Sequence, residues 1–176
     1  EQVRDLFIFS CYTALSYIDV CELRQEDIRT GFDGNLWIIR KRHKTNVTST
    51  VRLLDIPKAI LEKYKDKLPN GKILPIISNQ KMNDYLKELG ELAEINEPVR
   101  ETYYKGNERI DEVAPKYALL STHAGRRTFI CNALALGIPA QVVMKWTGHS
   151  DYKAMKPYID IADDIKANAM NKFNQL

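Results

Sequence analysis

Two of the three histidines in this chain, His123 and His149, stand in or at the end of a long run without acids. His123 opens the run "STHAGRRTFICNALALG". On a helix, His123 and Arg126 lie three apart and share a face, while Phe129, Ala133 and Leu136 turn to the core. A helix start adds backbone N–H groups and partial positive charge, which together favour an anion. The pair therefore fits an oxyanion site, and it fits equally a surface His and Arg flanking a buried helix. His149 lies in "TGHSDYKAMKPYID", nine residues before Tyr158. A tyrosine after a proline is usually packing, so that run alone does not make Tyr158 a nucleophile.

Other chemistries lack their residues. There is no HExxH and no Cys/His pair at finger spacing, which argues against zinc. GxSxG, P-loop and dinucleotide fingerprints are missing too. What remains needs cations, a proton donor and a nucleophile, with no cofactor.

Charge is segregated along the chain. The net value is only +3, but residues 35–54 hold no acid while carrying Arg40, Lys41, Arg42, Lys44 and Arg52. Residues 113–150 are again free of acids and include Lys116, Arg126, Arg127 and Lys145. Such a pattern indicates one face that meets an anion, against the alternative of a merely solvated basic face. The 176 residues suit one ordinary domain with a real core. No apolar run approaches the roughly 20 residues of a membrane helix, and no signal peptide is visible. Cys11, Cys21 and Cys131 read as small buried hydrophobes in a reducing cytoplasm. The first residues fall at helical spacing with no initiating methionine, as expected for a fragment of a longer chain.

The positioning elements are mostly helices. The pattern predicts a first helix to about Leu15, a short second over "YIDVCELR", and a small antiparallel meander around "FDGN" and "KTNVTS". Further helices follow from Pro57 to about Leu68, after a Ser78 cap, from Ser121 or Thr122 to Leu136, and from Pro139 to Trp146, before two short closing ones. Residues 98–118 suggest a second hairpin or an irregular insertion. The class is mainly α with a small antiparallel sheet.

With those elements in place, four separated boxes resemble the tyrosine recombinases, the phage-integrase family. "HAGRRTFI" is similar to its His-x-x-Arg box, and "TGHSDYKAMKPYI" to its Gly-His box with the nucleophilic tyrosine. "HKTNVTSTVRLLDIP" resembles its lysine hairpin, and "FIFSCYTALSYIDVCEL" its first box, commonly "TGLRxSEL". The wording is nearest to integrases of Bacteroides-type mobile elements. The resemblance implies the family's catalytic-core fold and a cytoplasmic, nucleoid-associated bacterial enzyme. Its DNA would be cleaved and rejoined through a 3′-phosphotyrosyl link without a cofactor or metal. It implies Tyr158 as nucleophile, with Arg126, His149, His123 and Lys44 acting on the phosphate. Lys41 and Lys145 would contact DNA backbone. It further implies duplex DNA as partner, a homotetramer on DNA, an accessory DNA-bending protein, and an N-terminal DNA-binding domain absent here. In that tetramer a C-terminal segment such as 161–176 would dock on a neighbour.

The match breaks at the first box, where Ser16 stands in place of the arginine and Ala14 in place of the usual glycine. A serine cannot neutralise a phosphorane, and one lost donor typically costs about 10²–10³ in rate. Alternation along a strand would aim Arg40, Arg42 and Lys44 the same way, which makes Arg42 the candidate replacement cation and Arg40 the fallback. The rival reading is a DNA-binding relative that lost catalysis with that arginine. A relaxing topoisomerase of the same chemistry is a further rival.

Overall fold

The computed structural model describes residues 1–44 and 46–161. The tail expected to dock on a neighbour lies outside the described residues, apart from its first residue. Helices α1 (Gln2–Thr13) and α2 (Tyr17–Cys21) lead into a three-stranded antiparallel sheet, β1 (Ile28–Thr30), β2 (Leu36–Lys41) and β3 (Thr48–Arg52), in that spatial order. Helices α3 (Asp55–Tyr64) and α4 (Asn79–Leu92) follow, then a separate hairpin of β4 (Pro98–Lys105) and β5 (Glu108–Pro115). The last elements are α5 (Thr122–Ala135), α6 (Ala140–Thr147) and α7 (Lys156–Ile161). Residues 98–115 thus form a regular hairpin, the first of the two alternatives. No helix among the described residues is long and apolar enough to cross a membrane.

Two apolar clusters make up the interior. The larger gathers Leu6, Phe9, Leu15, Ile38, Leu53 and Leu86 from α1, the sheet and α4, and the smaller gathers Ile130, Leu134, Val143 and Met155 from α5 onward. The sheet joins them by its alternation. Ile38 pairs with Val51 and Arg40 with Ser49 on its inner face, leaving Trp37, Ile39 and Lys41 with Arg52, Thr50 and Thr48 on the other. The Ser49 hydroxyl donates to the Trp146 carbonyl and so ties β3 to α6.

One expected boundary shifts and one expected cap is replaced, each for a physical reason. Helix α1 stops at Thr13 because Ala14 turns left-handed (φ 57°) and returns its N–H to Ser10 O at 2.9 Å. Ser121 stands at the start of α5 without donating or accepting a capping bond; Asn83 Oδ1 takes the Thr122 N–H instead, at 2.9 Å. Part of the expected anion-binding helix start is therefore already occupied by α4.

Helices α1 and α5 cross at Gly125. A Cβ there would lie 2.9 Å from Ser10 Cβ and 3.3 Å from Phe7 O, closer than the helices allow. Gly125→Ala should cost about 1–3 kcal/mol through overpacking. Urea unfolding would register this as a lower midpoint at unchanged m.

Candidate active site

Arg126 is buried and anchored at both ends of its guanidinium. Its α5 backbone faces α1, so the guanidinium runs inward and is 3% exposed. Nη1 donates to Ala14 O at 2.5 Å and Nη2 to Thr147 O at 2.6 Å. Both acceptors are carbonyls at helix ends, made available by the left-handed residues Ala14 and Gly148. Burial, then the charge of Arg42, pulls the Arg126 pKa down to about 10; Asp19 and Tyr158 act in the opposite direction. It remains a cation at neutral pH.

Arg42 lies just past β2 and is also buried, at 8% exposure. Its Nε donates to Asp19 Oδ2 at 3.4 Å. Its aliphatic stem covers Gly148, where a Cβ would stand 2.6 Å from Arg42 Cδ. With φ at 62°, Gly148 thus answers two demands, a left-handed helix end and room for Arg42.

Ser16 caps α2 and donates to Asp19 Oδ2 at 2.5 Å. Its hydroxyl is spent on that acid. Asp19, 1% exposed, also accepts the His43 N–H at 3.0 Å. Burial alone would raise its carboxyl, but Ser16, His43 N–H and Arg42 outweigh burial and hold it below the usual range. Asp19 was not among the residues singled out from sequence. The signal was present in the Ser-x-x-Asp spacing at a helix start.

The histidines complete the cluster. His149 follows Gly148, with Nδ1 2.6 Å from Thr147 Oγ1 and Nε2 3.2 Å from Arg126 Nη2. Because the Thr147 hydroxyl donates to Val143 O at 2.8 Å, the network assigns the proton to Nδ1 and leaves Nε2 to accept from Arg126. Burial, then Arg126, Arg42 and His123, depresses His149 to about 4. His123 sits on the outer side; partial desolvation, then Arg126, Arg127, Arg42 and Lys44, lowers its pKa as well.

Lys44 is exposed in the β2–β3 turn, near enough for its charge to bear on His123. The strand ends at Lys41, so the expected alternation stops short of Lys44. Arg40 and Arg42 both face α2, but Arg40 is held by Glu22 (2.5 Å) and Asp27 (3.0 Å). Tyr158, on α7, is half-buried against the smaller core and lies within electrostatic range of Arg126. Lys41 is exposed on the outer sheet face. Lys145 lines an open groove of about 520 Å³ with Trp37, Thr48, Gln141 and His149. The structure thus brings Arg126, Arg42, His149, His123, Lys44 and Tyr158 together, with Lys145 at the rim and Arg40 tied elsewhere.

A neutral His149 has a consequence for stability. Above the ordinary histidine pKa, near 6.5, folded and unfolded states are both neutral there. Between about 6.5 and 4 the unfolded chain takes up a proton that the folded site resists, so stability falls through that window and the effect levels off below it. His149→Asn should flatten this part of the stability–pH curve, as measured by thermal unfolding.

No family profile matches the sequence, and no curated protein does. Solved structures do match in shape. XerH site-specific recombinase, in a post-cleavage complex with a palindromic difH substrate, superposes with a TM-score of 0.66 at 13% identity, covering 98% of this chain and 46% of that one. XerA recombinase gives 0.65 at 14%, over 98% and 62%. Tn1549 transposon integrase with circular intermediate DNA gives 0.58 at 13%, over 94% and 56%. The chain spans about half the length of the structures it matches. It has the catalytic-core fold of the tyrosine recombinases.

Proposed function

We propose that this chain is the catalytic domain of a tyrosine-type site-specific DNA recombinase, an integrase of a mobile element. The observation that supports the reading is the grouping of Arg126, Arg42, His123, His149, Lys44 and Tyr158 within electrostatic range of one another, with Asp19 as the carboxylate that contacts Arg42 among the described residues. Such an excess of fixed cations suits a phosphodiester. Fold neighbours solved on DNA substrates add support.

In the reaction, the Tyr158 oxygen attacks phosphorus; the new O–P bond forms as the bond to the 5′-oxygen breaks. An ordinary tyrosine, with a pKa of about 10, needs help to lose its proton near neutrality, and His123 accepts or orients that proton. Arg126 and Arg42 hold the non-bridging oxygens with planar donors. His149, with bare Nε2 in the free protein, takes up a proton or reorients to donate to the phosphate. Lys44 protonates the departing 5′-oxygen. One ester replaces another, so the link is religated without ATP, metal or cofactor. Lys41 and Lys145 hold flanking phosphates, and Arg40 does so only if it leaves its acids. Synapsis as a tetramer, docking of the C-terminal segment, a DNA-bending helper, a Bacteroides-type host element and a site of action on the bacterial nucleoid belong to the same proposal.

Ser16 favours a second reading, a DNA-binding relative without catalysis. Covalent trapping separates the two. Purified protein is mixed at low salt with nicked duplexes spanning the junctions beside its own gene, then run on denaturing gels. A protein–DNA adduct that disappears with Tyr158→Phe is expected. DNA binding without any adduct would favour the second reading.

A further inference from the structure

We infer that Glu22 is a positioning residue for Lys44, working through His43 and Arg40. This rests on Lys44 being the acid for the leaving oxygen, as proposed above. Glu22 ends α2, and its two carboxylate oxygens reach different residues of the hairpin. Oε1 stands 3.0 Å from His43 Nδ1, and Oε2 accepts from Arg40 Nη2 at 2.5 Å. The Glu22 carbonyl accepts a further bond from Arg40 Nη1 at 2.9 Å. One residue thus grips the hairpin on both sides of Arg42, and the second grip falls on the residue next to Lys44.

The turn itself is short and closed. Arg42 N–H donates to Val47 O at 2.9 Å, and Asn46, left-handed at φ 54°, returns its N–H to Arg42 O at 2.9 Å. Lys44 stands exposed within that turn, and among the described residues its side chain makes no hydrogen bond or ion pair that would hold it. Its placement therefore depends on the residues before it. Asp19 holds the His43 backbone, while Glu22 holds the His43 ring. Arg40 adds to the dependence, because its buried Nε has no partner and its seat relies on the Nη contacts to Glu22 and Asp27. A proton donor on a flexible stem is effective only if its base is fixed, since a misplacement of about 1 Å can cost as much as about 10²-fold.

A leaving group that needs no proton isolates this role. Single-turnover cleavage is measured on a nicked duplex with an ordinary scissile phosphate and on one with sulfur at the 5′-bridging position. The departing thiolate is stable near neutrality, its conjugate thiol having a pKa of about 8.5. Lys44→Ala should be slowed about 10²-fold or more on oxygen and be restored on sulfur. Glu22→Ala and His43→Ala should each be slowed about tenfold on oxygen and fall within about twofold of wild type on sulfur. His43 is exposed, so its variant keeps the test open should Glu22→Ala fold poorly; circular dichroism and melting check both. Glu22 and His43 variants equally slow on both substrates, or as fast as wild type on oxygen, overturn the inference. Failure of sulfur to restore Lys44→Ala instead removes the acid role of Lys44, and the inference falls with it.

Discussion

Two buried guanidiniums next to one carboxylate set the terms for everything around them. Arg126 and Arg42 repel each other, and burial removes the water that would screen them. Arg126 is held by two helix-end carbonyls, Ala14 O and Thr147 O, rather than by an acid. Arg42 has Asp19 as its one acid among the described residues. Matching acids would make a quieter core and would also cancel the field that an incoming anion needs. On the proposed function, the site is a local cost in the free protein that a bound phosphate would offset.

That requirement explains features which look unrelated along the chain. Ala14 and Gly148 turn left-handed, and the carbonyls of the helices they end point at one guanidinium. The bare α-carbon of Gly148 leaves room for Arg42. Gly125 lets α5 approach α1, which brings Arg126 to Ala14. Ser16, where the resembling family carries its arginine, caps α2 and aligns Asp19 with Arg42. The proposed replacement cation, Arg42, stands at the hairpin, and the acid that holds it, Asp19, lies three residues after Ser16.

What the sequence shows depends on the range of the interaction. The "FDGN" turn, the Ser78 cap and the stop at Gly137 are local chemistry, and each falls where expected. Arg42 could be nominated because strand alternation is local as well. The Arg42–Asp19 pair spans 23 residues and the Arg126–Ala14 bond 112, so neither leaves a mark in any short window. The start of α5 falls at Ser121 and Thr122 as expected, but the group that takes its first N–H, Asn83 Oδ1, lies 39 positions away and is not legible locally. Arg40, the fallback to Arg42 on spacing, shares its strand face. The acids that hold it, Glu22 and Asp27, come from α2 and the turn after it.

The central claim is that Arg42 supplies the charge absent at Ser16. Single-turnover cleavage by Arg42→Ala, beside Lys41→Ala from the same hairpin, tests it most directly. The account predicts a loss of about 10²–10³-fold for Arg42→Ala. Lys41→Ala should lose little at saturating DNA, because an exposed backbone contact contributes to affinity rather than to the chemical step. Equal effects of the two substitutions would contradict the account and leave the place of the missing arginine unfilled.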